Sequence, residues 1–262
     1  MVDLTPLQST PTLLIVILIF IVLIALYVLG HKLRSTTLKN NRDRLTIDLG
    51  TINGTLLGLL GLLLAFTFGM ASSRYDARRE LIIAEANDIG TVILRTDIYP
   101  DSVRDALRSQ LKAYVEERIA FYEVGMKVDQ AMIHYVKADS IGKKVWSIVA
   151  THARSSNMMT LTSTMIPALN DMIDITTTRR ATSESTVPDA IMYFLFALCF
   201  CSAFLLGYDN KNRRVDWIVL IGFATMLSVT VYMIIDLDRP RSGLINMDKP
   251  HEKIVELRDM FK

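Results

Sequence analysis

Hydrophobic and charged positions are segregated along this chain rather than interleaved. Four windows, Thr12–Gly30, Leu49–Ser73, Ala190–Tyr208 and Trp217–Ile235, run for 19, 25, 19 and 19 residues without one Asp, Glu, Lys or Arg, so all 29 Lys and Arg and all 27 Asp and Glu fall elsewhere. A bilayer core of about 30 Å takes about 20 residues of helix, so each window is long enough to span it and Leu49–Ser73 is long enough to tilt. The pattern predicts four transmembrane helices, counted here as spans one to four. The first window lacks the basic flank, short apolar core and small-residue cleavage site of a signal peptide, and it reads as a retained span.

Between spans two and three lie the 115 residues Arg74–Pro188, where the composition turns to mixed charge and helix-favouring residues. This stretch predicts a helical domain exposed to water. Arg74–Asp97 reads as a charged continuation of span two, and Tyr99-Pro100-Asp101-Ser102 offers a turn and N-cap chemistry before the next helix. Val103, Leu107, Leu111, Val115, Ile119 and Tyr122 recur at helical spacing, with Arg104, Asp105, Arg108, Lys112, Glu116 and Glu117 on other faces. A third amphipathic stretch covers Lys127–His152, with a break expected near Asp139-Ser140. A fourth, Asn157–Thr178, places Met158, Leu161, Met165, Ala168, Met172 and Ile175 in a seam at steps of 3 and 4. Pro167 inside it argues for a kink or an end. Few long helices offer little self-contained core, so the domain is expected to pack on copies of itself or on extended membrane helices. In the tail 237–262, Pro250–Phe261 reads as a small amphipathic helix on the domain.

The averages hide this division: 51% hydrophobic, 21% charged and a net charge of +2 describe an ordinary globular chain. Segregation excludes a soluble protein. Near-balanced charge, with 15 Lys and Arg against 16 Asp and Glu between Arg74 and Asp189, excludes the usual basic nucleic-acid binder. Four spans put both short loops on one side and the N-terminus, domain and tail on the other. The loops His31–Asp48 and Asp209–Asp216 carry 5 and 3 Lys and Arg, and the first eleven residues carry none, which leans towards an outward domain. The lean is slight, since 9 such residues lie near the spans on the opposite side.

No catalytic constellation is present in the sequence. His31, His134, His152 and His251 are scattered, no glycine loop cradles a phosphate, and no metal or cofactor motif occurs. Cys199 and Cys201 lie two apart on a helix, on different faces, and read as buried inert thiols. The expectation is a protein that is not an enzyme and carries no cofactor.

Two features stand out. Gly50, Gly54, Gly58, Gly61, Ala65, Gly69 and Ser72 follow one another at steps of 4, 4, 3, 4, 4 and 3, forming one small-residue face down span two. This face either packs against other spans of the chain or lies at an oligomer axis or pore. Asn53, beside it, reads as a polar lining group or an interhelical hydrogen-bond donor. The second feature is charge at one membrane boundary: Arg74, Asp76, Arg78, Arg79 and Glu80 leave span two, and Asp236, Asp238, Arg239 and Arg241 leave span four. Pairing of Arg78 or Arg79 with Asp236 or Asp238 would make a structural cluster; repeated by symmetry, the same groups would ring a pore mouth.

The run LLAFTFGMASSRYDARRELIIAEANDIGT (Leu63–Thr91), with YMIIDLDRPRSGLI (Tyr232–Ile245), resembles the bacterial membrane family named for a bestrophin-like domain. The likeness covers most of the chain from span two onward. Bestrophins proper are pentameric anion channels with four spans and a large helical cytosolic domain between spans two and three. The resemblance implies that architecture, and a cytosolic domain against the lean of the loop charges. Bestrophins line a narrow neck with large apolar side chains from span two, where this chain offers Phe66 and Phe68; their calcium-binding acidic cluster has no match here.

The expectation is an all-α integral membrane protein of the bacterial inner membrane, bestrophin-like, with four transmembrane helices and a helical domain inserted between spans two and three. Its partners would be itself as a homo-oligomer, a pentamer in the resemblance's terms, the lipid bilayer and inorganic ions, and no nucleic acid. The leading function is an oligomeric ion channel with span two nearest the axis. The alternative is a non-conducting scaffold or sensor that binds a partner through the Met158–Ile175 seam.

Overall fold

The computed structural model describes residues 10–40, 49–125, 127–155, 159–212, 214–239 and 244–262, with side chains at all of these but 37–40, 128, 155 and 159–162. Their order is α1 (Thr12–Asn40), α2 (Gly50–Arg95), a 3-10 turn (Thr96–Ile98), α3 (Asp101–Glu123), α4 (Val128–Ser155), α5 (Met159–Glu184), α6 (Asp189–Asp209), α7 (Trp217–Asp238), α8 (Asp248–Val255) and a 3-10 turn (Glu256–Phe261). Among the described residues no strand is present, and four helices are long and apolar enough to cross a membrane, those carrying the four charge-free windows. The chain divides into two compact units. One groups Met1–Ser73 with Thr186–Arg239, the other Arg74–Ser185 with Pro240–Lys262. Helix α2 contributes to both.

In the first unit α1 packs against α6 and α7. The sequence places the end of span one at Gly30, but α1 continues to Asn40. Gly30 marks a crossing instead. A Cβ on Gly30 would stand 2.8 Å from the Tyr208 amide nitrogen, and one on Gly207 would stand 2.8 Å from the Tyr27 Cα, with the Phe204 and Tyr27 carbonyl oxygens nearer still. Two backbones meet here with no side chain between them, a contact open only to glycine. Polar bonds flank the crossing: Asn210 Nδ2 donates to the Tyr27 hydroxyl at 3.2 Å, and Arg34 Nη1 donates to the Tyr208 carbonyl at 2.9 Å. Cys199 is buried and Cys201 exposed, so only one of the two thiols is a core group.

The second unit builds its core on the extension of a membrane helix, one of the two arrangements expected from the sequence. Leu107, Leu111, Val115 and Ile119 of α3 bury against Ile89, Val92 and Ile93 of α2, Val145 and Val149 of α4, and Met165, Leu169 and Met172 of α5. Of the α5 seam, Met165, Ala168 and Met172 are spent in this core and Ile175 is half-buried; Met158 and the Leu161 side chain lie outside the described residues. α4 is unbroken at Asp139-Ser140, where both residues stay helical. α5 runs through Pro167. Pro100, not Asp101, is the N-cap of α3, and it makes no side-chain cap bond; Asp101 sits in the first turn, where its charge suits the helix dipole.

The tail closes this unit. Met247, Ile254 and Leu257 join the core. His251 is buried and stacks on Tyr122 with ring centroids 4.0 Å apart. Burial, then the neighbouring Arg179, lower its pKa to about 4, so it is neutral. Around the rim Arg258 makes a two-pronged bond to Glu116 at 2.8 and 2.6 Å, and Tyr122 donates to Asp248 at 2.9 Å.

The glycine crossing gives a contrast between two alanines. Gly207→Ala should lower the thermal midpoint of the detergent-solubilised protein, since overpacking a close contact costs about 1–3 kcal/mol. Gly222→Ala on α7, where an added Cβ meets nothing within 4 Å, should leave the midpoint unchanged or raise it slightly. Equal midpoints for the two variants would show that α1 and α6 do not need their close approach.

Candidate functional site

The small-residue face of span two is open. Gly50, Gly54, Gly58, Gly61, Ala65 and Gly69 are exposed and Ser72 is half-buried. A Cβ built on Gly54, Gly58, Gly61 or Gly69 meets nothing within 4 Å. Among the described residues, nothing packs against the face at these four glycines. The buried face of the same helix is Asn53, Leu60, Thr67 and Ala71, at steps of 7, 7 and 4. At about 100° per residue it lies roughly 120° from the glycine face.

Asn53 belongs to that buried face rather than to the stripe. It is 6% exposed, and its Nδ2 donates to Asp209 Oδ2 at 3.0 Å. Of the two roles its sequence position offered, it takes the interhelical one. Phe66 and Phe68 are both exposed, yet at two residues' separation they point about 160° apart around the helix. Phe68 lies beside the glycine face and Phe66 on its far flank, so the two cannot line one neck together.

The boundary charges divide by the same rotation. Arg74 and Arg78 continue the buried face. Arg78 is 4% exposed and donates through Nη2 to the Ser185 carbonyl at 2.7 Å, while Arg74 donates to the Ser185 hydroxyl. Asp76, Arg79 and Glu80 are exposed and fall within about 80° of the centre of the glycine face. At the end of span four, Asp236 is buried, Asp238 accepts from the Val187 amide at 3.0 and 3.1 Å, and Arg239 donates to the Thr10 carbonyl at 2.7 Å and the Thr12 hydroxyl at 3.0 Å. Asp238 and Arg239 thus tie the end of α7 to the entries of α6 and α1. Arg241, with Pro240 and Gly243, lies outside the described residues.

Sequence reading missed one cluster of buried charges. Glu85 of α2 is fully buried and receives Arg118 of α3 in a two-pronged bond, Nε to Oε1 and Nη2 to Oε2, the latter at 3.1 Å; Arg179 of α5 bonds Oε2 as well. Arg118 also stacks over Phe121 at 4.9 Å. Burial alone would raise the Glu85 pKa, but the charges of Arg118 and Arg179 and their hydrogen bonds outweigh it and bring the pKa down to about 2. Three helices distant in sequence are thereby joined by one carboxylate. The signal was faint: Arg118 falls on the apolar side of α3, four residues from Tyr114, among charges that otherwise face water.

Among the described residues no three His, Cys, Asp or Glu gather where they could hold a metal. A cavity lined by Arg78, Phe121, Tyr122, Arg179, Ser183 and Met247 measures about 30 Å³, room for about one water and far below the few hundred Å³ of a small-molecule pocket.

Four apolar helices with an open small-residue face, and a helical unit with a core of its own, define an all-helical membrane protein. The fold is that of the bacterial bestrophin homologues. The homologue from Klebsiella pneumoniae solved by Zn-SAD phasing is 13% identical, with a TM-score of 0.71 over 94% of this chain and 98% of that one. A variant of that homologue with a tryptophan-to-alanine substitution gives 0.72 at 13% identity, over 97% and 99%. A crystal structure described as a membrane protein with a proline-to-alanine substitution gives 0.69 at 14% identity, over 92% and 98%. Among curated proteins none is significantly similar in sequence. The family model of the Bestrophin-like domain matches residues 12–249, and the chain belongs to that family.

The buried carboxylate gives a prediction with a sign. Because its folded pKa lies below the ordinary 4.5, Glu85 contributes stability that is fully present above pH 4.5 and lost as pH falls towards 2. Glu85→Ala, which strands two guanidiniums, should cost about 3–5 kcal/mol at neutral pH, whereas Glu116→Ala, at the exposed pair with Arg258, should cost about 0–1 kcal/mol. Unfolding midpoints of the two variants between pH 3 and 8 check this. Similar losses from both would mean that the buried cluster carries no special share of stability.

Proposed function

We propose that the chain is the subunit of a homo-oligomeric, pentameric ion channel of the bacterial inner membrane, with four spans, the helical unit inserted between spans two and three, and span two nearest the symmetry axis. The observation that carries this reading is the open glycine face of span two. A helix in hydrocarbon gains by close approach of small residues, and at Gly54, Gly58, Gly61 and Gly69 an added Cβ would meet none of the described residues within 4 Å. A second copy supplies the partner. Family membership supports the same conclusion, since the bestrophins this family is named after conduct ions.

The charges at the end of that face set the ionic character of the mouth. Asp76, Arg79 and Glu80 share the exposed rotation of α2, two acids against one base, repeated once per subunit. Such a ring concentrates one sign of ion at the entrance. Arg74 and Arg78, spent on Ser185, hold the structure beneath it. Burial of Met165, Ala168 and Met172 in the core favours this reading over the scaffold one, which would use them as a contact.

Gly58→Leu inserts a bulky side chain into the proposed contact. It should lower the oligomer mass in native mass measurement, or keep the ring and cut the current in planar bilayers at least several-fold. A wild-type protein that is monomeric, or a variant with the parent's mass and current, would overturn the channel assembly.

The mouth charges have their own readout. Asp76→Lys combined with Glu80→Lys should shift the reversal potential in asymmetric KCl towards the anion. A reversal potential that stays in place removes these residues from the ion path, whatever the oligomer.

A further inference from the structure

In lipid the burial of leucine does not select one rotation of a helix over another, because the surrounding tails are as apolar as the side chain. Span two is in that position. Away from its glycines it carries Leu56, Leu57, Leu59, Leu60, Leu62, Leu63, Leu64 and Met70 spread over most of its circumference, and any of these faces would sit in the bundle as comfortably as Leu60 does. Its hydroxyls do not help: Thr55 bonds the Thr51 carbonyl and Thr67 the Leu63 carbonyl, both within the helix. Asn53 is different. Its amide reaches out of the helix to Asp209 Oδ2 at the end of α6.

We propose that Asp209 is the positioning residue that fixes the rotation of span two, and that its bond to Asn53 is what turns the glycine face outward. The carboxylate is itself held in place. Arg34 of α1 lies 4.0 Å from Asp209 Oδ1 and donates to the carbonyl of the preceding residue, Tyr208, at 2.9 Å. The glycine crossing of α1 and α6 lies two residues before Asp209, at Gly207, so the acceptor stands on the most closely packed pair of helices in this unit. A polar bond that leaves an apolar span for a neighbouring helix can set its rotation in the way a buried Asn sets register in a coiled coil. One residue of slip turns the helix by about 100° and would put larger side chains, Leu59, Leu62 and Phe66 among them, where Gly58, Gly61 and Ala65 face outward. The role assigned to that face rests on the oligomer reading above; the rotation itself does not.

The experiment reads rotation without reading assembly. Nitroxide labels placed singly at positions 51 to 62, in full-length protein with Cys199 and Cys201 replaced by Ala, report collision with dissolved oxygen in lipid vesicles. The parent should show a helical period with its minimum at Asn53 and Leu60. Asp209→Ala should shift that minimum by at least half of the about 100° that separates successive residues, or flatten the period. Asp209→Asn, which still accepts from Asn53, should keep it. Asn53→Leu removes the donor without leaving a buried amide unpaired, and should repeat the Asp209→Ala result in a protein that folds. An unchanged minimum in Asp209→Ala or Asn53→Leu overturns the proposal, as does its loss in Asp209→Asn. Failure of the channel reading would show instead in the oligomer mass of the unlabelled parent.

Discussion

Apolar side chains in a bilayer have no solvent to flee, and the first unit of this protein is built around that constraint. What holds helices together there is surface that lipid cannot match: backbone against backbone, and polar groups that would otherwise be unsatisfied. Gly30 and Gly207 supply the first kind, letting α1 and α6 touch along their main chains. Asn210 with Tyr27, Arg34 with Tyr208 and Asn53 with Asp209 supply the second. All three bonds gather near the same end of the helices. At the other end Asp238 and Arg239 do equivalent work, binding the Val187 amide and the Thr10 carbonyl.

The second unit obeys the opposite physics. Burial of leucine from water is worth about 1.5–3 kcal/mol per side chain, and the core forms from the faces of four helices and the tail. Polar groups there are expensive unless fully matched. Glu85 meets that condition by taking hydrogen bonds from two arginines on two other helices. The tail is positioned by ordinary burial, with exposed ion pairs such as Arg258 with Glu116 around its margin.

The sequence shows the division between these materials and hides the contacts that join elements within them. Charge-free runs of about 20 residues have one physical meaning, so the four apolar helices are legible. The α3 face is legible for the same reason, since Leu107, Leu111, Val115 and Ile119 recur at one period. Gly30 was not, because a glycine at the edge of an apolar run ends a helix as often as it permits a crossing, and only the partner glycine decides between the two. Glu85 and Arg118 are 33 residues apart, and no local pattern links them. Asp139-Ser140 looked like a break because polar residues favour turns; packing of Ala138 and Val145 on either side carries the helix through. Of the candidate site, the glycine stripe was legible as a period. Which of its neighbours shared its rotation was not, since Asn53, Phe66, Arg74 and Arg78 stand close to it in sequence and away from it around the helix.

Helix α2 brings these two kinds of order into one object. From Gly50 to Ser73 its rotation has no hydrophobic cause, and from Ile82 onward it has a strong one, because Ile82, Ala86, Ile89 and Ile93 are core residues at helical steps. The helix stays unbroken through Gly61 and Gly69. The small residues of span two thus serve its surface, and the rigidity of the helix comes from its unbroken backbone ladder. A protein that must change the shape of one face while keeping the helix intact has few other ways to arrange the two.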